Sequence, residues 1–156
     1  MDTKERFFEE IRKGDLEKVN IILEKDPKLI NSKDQRGSTP LILATYYKKG
    51  DIASLLIDKG AAIDAKDASG NTALMGVCFK GYTDIAKLLI QKGANVNERN
   101  TMGATSLIYS ATFNHLEIAK LLIENGADKV IKDAKGNTAL DHAKMKGVPA
   151  LINVLQ

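Results

Sequence analysis

Three side chains in this sequence carry the atoms that nucleophilic catalysis or metal binding would need: Cys78, His115 and His142. An imidazole beside a thiol can take the proton that the thiol must lose before it attacks a carbonyl. The same residue types also ligate zinc. Their placement favours neither chemistry. A catalytic site needs nucleophile, base and an orienting group to converge, and zinc ligands come in close-set pairs; these three are few and far apart along the chain. No glycine-rich phosphate loop follows a strand pattern. The expectation is therefore no catalytic residue, no metal and no cofactor, with Cys78 a packed thiol, as free cysteines usually are.

Two other patterns point to binding. The basic residues Lys33, Lys66, Arg99 and Lys132 recur in register, which would set a ladder of like charges along one side of a stacked fold. Such a ladder could attract an acidic partner, or a polyanion such as nucleic acid, with an affinity that falls steeply with salt. Alternatively each cation pairs locally with Asp34, Asp67 or Asp133 and leaves an ordinary solvated edge, since exposed pairs are worth little. The net charge of +3 is too small to argue for nucleic acid by itself. The second pattern is aromatic: Tyr46, Tyr47, Phe79 and Phe113 are half of the chain's aromatic residues and fall at equivalent places. Exposed aromatics are frequent anchors of interfaces.

The elements that position these residues repeat every 33 residues. Gly37, Gly70, Gly103 and Gly136 keep that spacing, as do Thr39, Thr72, Thr105 and Thr138, and Leu41, Leu74, Leu107 and Leu140. Asp34, Asp67, Asn100 and Asp133 keep it too. Each unit opens with an Asp-x-x-Gly or Asn-x-x-Gly turn, in which the side chain bonds its own backbone and the glycine takes positive φ. The threonine two residues on predicts a helix start, helped by Pro40 in the second unit. The first helix should end near Lys48, Gly81, Asn114 and Gly147, where a left-handed residue turns the chain. Lys48 suits that place poorly, and Gly50 is expected to shift the turn. A second helix follows in Asp51–Ile57, Asp84–Ile90 and Glu117–Ile123, with Ile, Leu and Leu at i, i+3 and i+4 forming an apolar stripe. Gly60, Gly93 and Gly126 close these helices.

Thr39-Pro40-Leu41, Leu121-Leu122-Ile123-Glu124-Asn125-Gly126-Ala127-Asp128 and Gly93-Ala94-Asn95-Val96-Asn97 resemble the signature segments of the ankyrin repeat, and the resemblance covers essentially the whole chain. It implies an all-α solenoid of helix–turn–helix units joined by β-hairpin fingers, with a concave binding face. The histidine that usually follows Thr-Pro-Leu is absent; Ile42, Met75, Ile108 and Asp141 stand there. Five repeats are expected in a single domain over 1–156, at about 1–33, 34–66, 67–99, 100–132 and 133–156. The first unit is degenerate and the last ends early. Terminal units need a polar outer face, for which Lys4, Glu5, Arg6, Glu9, Glu10 and Arg12 are candidates at the start, and Lys144, Asn153 and Gln156 at the end. On this reading both ends are capped and the domain is complete.

The family binds partners through finger tips and the exposed ends of first helices. Carried onto this sequence, those places are Arg36, Ser69, Asn71, Met102 and Lys135 on the fingers, and Tyr46, Tyr47, Phe79, Lys80, Thr112, Phe113 and Met145 at the helix ends. The implied function is a protein-interaction module that acts as adaptor, accessory subunit or inhibitor and is monomeric when unbound. The charged N-terminus lacks the apolar run of a signal peptide, and no stretch is long and apolar enough to span a membrane. With a single cysteine and no internal disulfide possible, a soluble cytoplasmic protein is expected.

Overall fold

The computed structural model describes residues 1–156. Ten α-helices follow in pairs, with no strand. The pairs are α1 (Thr3–Lys13) with α2 (Leu16–Lys25), α3 (Pro40–Tyr46) with α4 (Gly50–Asp58), α5 (Ala73–Lys80) with α6 (Thr83–Gln91), α7 (Ser106–Thr112) with α8 (Leu116–Glu124), and α9 (Ala139–Lys146) with α10 (Pro149–Leu155). A 3-10 turn, Pro27–Asn31, links the first pair to the second. Odd-numbered helices stack on one another in one row and even-numbered helices in another.

Each odd-numbered helix after α1 starts where the threonines predict. Thr39, Thr72, Thr105 and Thr138 are N-caps whose hydroxyls accept from the backbone N–H groups of Ile42, Met75, Ile108 and Asp141. Such a cap stabilises a helix by about 1 kcal/mol. In the last unit Asp141 bonds back to the Thr138 N–H and completes a capping box. The turn after these helices is left-handed at Lys48, Gly81, Asn114 and Gly147, with φ of 61°, 82°, 58° and 69°. Gly50 does not shift the turn; it begins α4, and Lys48 carries the positive φ despite its side chain. The Lys48 ammonium lies 5.2 Å from the Tyr82 ring centroid, a cation–π contact that offsets part of that strain.

The even-numbered helices bury the predicted stripe unevenly. Ile52, Leu56, Leu89, Ile118 and Leu122 are fully buried, while Leu55, Leu88 and Leu121 are half-buried. Burying one such side chain is worth about 1.5–3 kcal/mol, and no short helix here would persist without that packing. One continuous apolar core runs the length of the stack, from Phe7 and Phe8 to Leu151 and Leu155.

The fingers are tight turns rather than strands. The first two are closed by Asp34 N–H to Ser38 O and Asp67 N–H to Asn71 O, at 3.0 and 2.9 Å, and the next two by Asn100 N–H to Ala104 O and Asp133 N–H to Asn137 O. The backbone bonds between fingers are two, Thr101 N–H to Ser69 O and Ala134 N–H to Met102 O. That is too little pairing for a β-ladder. Gly70 shows why the turn needs glycine twice over: its φ is 79°, and a Cβ there would stand 2.9 Å from the Thr101 nitrogen.

The first unit departs from the polar cap expected of it at one residue. Glu10 is 7% exposed, turned inward on α1, and its Oε2 has no hydrogen-bond partner. The helix turns Phe7, Phe8 and Ile11 into the core, and Glu10 shares enough of that side to be covered. Lys4, Glu5, Arg6 and Arg12 face solvent, as a capping face requires.

Candidate partner-binding surface

The ends of α3, α5 and α7 and the C-caps that follow them carry the four aromatics. Tyr46, Tyr47, Phe79 and Phe113 are 43%, 43%, 44% and 42% exposed. None packs fully between units. Phe79 and Phe113 meet edge to face at 4.7 Å between ring centroids, and Tyr46 and Tyr47 at 5.7 Å. Lys80, the residue after Phe79, reaches back to the second unit, its ammonium 4.6 Å from the Tyr46 ring centroid. A fifth ring, Tyr109, stacks on Phe113 at 6.2 Å and meets Phe79 at 6.4 Å. Sequence reasoning left Tyr109 out because it lies one turn before the helix end; the signal was its spacing of one turn from Phe113.

The remaining helix-end residues divide. Met145 is 63% exposed, whereas Thr112 is half-buried and its hydroxyl is held by the Ile108 carbonyl at 2.8 Å. On the fingers Arg36, Ser69 and Lys135 face solvent, and Met102 is 58% exposed. Asn71 is half-buried and accepts from Asn100 Nδ2 at 2.9 Å, so it joins two fingers as well as marking a tip. Between the first two units and the finger of the third runs an open groove lined by Arg12, Arg36, Leu43, Tyr46, Tyr47 and Asp67, among others.

The basic ladder points along the stack. Lys33 Nζ donates to Lys66 O at 3.0 Å, Lys66 Nζ to Arg99 O at 2.9 Å, and Arg99 Nη2 to Lys132 O at 2.7 Å. None of the four cations pairs with Asp34, Asp67 or Asp133; Lys66 pairs instead with Glu98 at 3.4 Å. Three of the four rungs thus tie their unit to the next. A second row does the same through acceptors. Asn31 Oδ1 takes the Ala62 N–H, Asp64 Oδ1 the Asn95 N–H, and Asn97 Oδ1 the Asp128 N–H, at 2.9, 3.0 and 2.8 Å. That row was also visible as a 33-residue spacing of Asn31, Asp64 and Asn97.

Cys78, His115 and His142 do not converge. Cys78 is fully buried, and that burial pushes its thiol up to about 12, against the lowering effect of hydrogen bonds with Ser106 and Ser110. A thiol so placed is a poor nucleophile. His115 precedes α8 and lies 3.1 Å from the Phe79 carbonyl, against Gly81, where a Cβ would come within 2.5 Å of its ring. His142 Nε2 meets Asp133 Oδ2 at 2.7 Å. Burial by itself would raise the Asp133 carboxyl; the Asn137 N–H, the His142 ring and the Lys135 N–H outweigh it and hold it below its ordinary 3.8. No group of three or more His, Cys, Asp or Glu side chains is arranged to hold a metal ion, and no helix is long and apolar enough to cross a membrane.

A family model described as ankyrin repeats in three copies matches residues 8–100, and a second, described as ankyrin repeats in many copies, matches residues 80–143. No curated protein matches the chain.

Proposed function

Because the chain belongs to the ankyrin-repeat family, we propose that it binds a partner protein along the concave face made by its odd-numbered helices and fingers. It serves as adaptor, accessory subunit or inhibitor and performs no chemistry of its own. The observation that carries this reading is the aromatic strip, four rings on three units, each more than two-fifths exposed, that meet as Tyr46 with Tyr47 and Phe79 with Phe113. Apolar surface gathered in one patch, rather than scattered singly, is what marks an interaction site. Tyr and Phe are enriched at the centres of interfaces, where a single anchor can be worth about 2 kcal/mol or more. Met102, Met145, Arg36 and Lys135 extend the same face with adaptable and charged side chains. The basic ladder contributes less to recognition on this reading, because three of its four cations hold neighbouring units together.

Unbound, the chain is a monomer on this reading, and its one buried thiol suits a reducing compartment such as the cytoplasm. The test is affinity capture from a lysate of the source cell, comparing the natural chain with one in which Tyr46, Tyr47, Phe79 and Phe113 are all changed to Ser. Circular dichroism first establishes that the variant is folded. A protein kept by the natural chain and lost by the variant supports the aromatic face. Equal capture by both moves the site elsewhere.

A further inference from the structure

The finger turns begin with Asp34, Asp67, Asn100 and Asp133, and in each case Oδ1 accepts two N–H groups of its own turn. The other terminal atom is free to reach out, and in three units it finds a partner. Asp34 Oδ2 meets Arg12 Nη2 at 3.8 Å. Asn100 Nδ2 donates to the Tyr109 hydroxyl at 2.7 Å. Asp133 Oδ2 meets His142 Nε2 at 2.7 Å. In the last two the partner stands nine residues on, in the odd-numbered helix. The equivalent of Tyr109 and His142 in the third unit is Gly76, which has no side chain to offer. Asp67 Oδ2 is left with no partner.

Gly76 also leaves a notch. It lies inside α5, and a Cβ built on it would meet nothing within 4 Å. Phe79 stands one turn further along the same helix, 6.4 Å from the Tyr109 ring of the next unit. On the other side Leu43 and Tyr46 line one groove together with Asp67. Lys80 makes no ion pair and lies over Tyr46. An unneutralised carboxylate therefore sits beside an aromatic wall and an empty space.

The chain already shows what such an acid takes. Counted back from the left-handed residues Gly14 and Lys48, Arg12 in the first unit holds the place that Tyr46 holds in the second. Arg12 reaches forward to Asp34. Tyr46, one unit on, cannot neutralise Asp67. The Lys80 ammonium covers one face of its ring, and the remaining exposed part, in a residue 43% exposed, can stack on a planar cation. We infer that Asp67 and the notch over Gly76 are the socket for an arginine side chain of the partner protein. Its guanidinium pairs with Asp67 Oδ2, and its stem lies in the notch beside Tyr46 and Phe79. Arginine fits better than lysine because its flat, weakly hydrated head pairs with a carboxylate and stacks on rings at once. This deepens the aromatic-face reading and rests on it.

The test is a titration of the ¹⁵N-labelled chain, followed by amide chemical shifts, with N-acetyl-arginine N-methylamide and with its citrulline counterpart, which has nearly the same shape and no charge. Saturable shifts at Ser69, Asn71 and Gly76–Lys80 are expected with the arginine compound, and binding at least fivefold weaker with citrulline. Both Asp67→Asn and Gly76→Leu should abolish the difference. Each variant has a precedent in the chain that it folds: Asn100 holds its turn as asparagine with both N–H bonds at 3.0 Å, and Leu43 occupies the Gly76 place in α3. No saturable shift, equal binding of the two compounds by the natural chain, or a preference for the arginine compound that persists in Asp67→Asn would overturn the socket. Partner capture that depends on the aromatics would survive that result, so the two readings fail separately.

Discussion

His142 Nε2 and Asp133 Oδ2 lie 2.7 Å apart, joining the last finger to α9. The folded Asp133 carboxyl is held below its ordinary 3.8, so it binds its proton less readily folded than unfolded. Its stabilising contribution is complete above the unfolded value and is lost as pH falls through the lower folded one. Asp133→Asn should therefore unfold at a lower denaturant concentration than the natural chain at pH 6, with the gap narrowing steadily below about pH 4. Urea melts across pH 2–7 measure this, and a gap independent of pH would show that the carboxylate charge plays no part.

Gly76→Ala should stabilise the chain by about 0.5–1 kcal/mol, the usual cost of glycine inside a helix. The added methyl has open space and the backbone is ordinary helix. Thermal melts of the two chains check it. A lower Tm in the variant would mean that the notch is less open than the geometry states.

Lys48 carries a φ of 61°, a conformation that costs a residue with a side chain about 1–2 kcal/mol. Lys48→Gly removes that strain but also the contact with Tyr82, worth about 0.5–1 kcal/mol. The balance should be a gain of about 0.5 kcal/mol in urea unfolding. Lys48→Ala, which keeps the strain and drops the contact, should lose about as much.

Arg99→Met removes two bonds from one guanidinium, to Lys132 O at 2.7 Å and Gly103 O at 3.2 Å, and should cost about 1–2 kcal/mol. Lys132→Met is the control, because its ammonium makes no hydrogen bond or ion pair and most surface changes stay within about 0.5 kcal/mol. Equal losses in the two would mean that charge along the ladder, rather than its bonds, supplies the stability.

Cys78, buried and with its thiol near 12, should not react with a disulfide reagent at pH 8 while the chain is folded. In denaturant it should react fully. Fast labelling of the native chain would show that α5 opens readily.

Much of this was legible in the sequence because a repeat states each rule several times. The threonine caps, the left-handed turns at Gly81, Asn114 and Gly147, and the Ile-Leu-Leu stripe all follow from local chemistry. Lys48 takes the same turn because the stack on either side fixes it, which overrides the local preference. The destination of the basic ladder was hidden for a different reason. A carbonyl one unit away leaves no mark on residue identity, whereas Asp34, Asp67 and Asp133 stood next door and looked like partners. The aromatic places were legible as positions. The gap over Gly76 was not, since what matters there is the side chain that the other units have and this one lacks.

Two rows of bonds tie the first four units together, one through Lys33, Lys66 and Arg99 and one through Asn31, Asp64 and Asn97. Under mechanical load applied at the two termini, these rows are what the force meets first, and they are arranged alike at successive junctions. Units that touch only their neighbours yield one at a time, so the extension trace should be a shallow sawtooth rather than a single rupture. Each tooth would lengthen the molecule by about 110 Å of contour, the span of one 33-residue unit drawn straight.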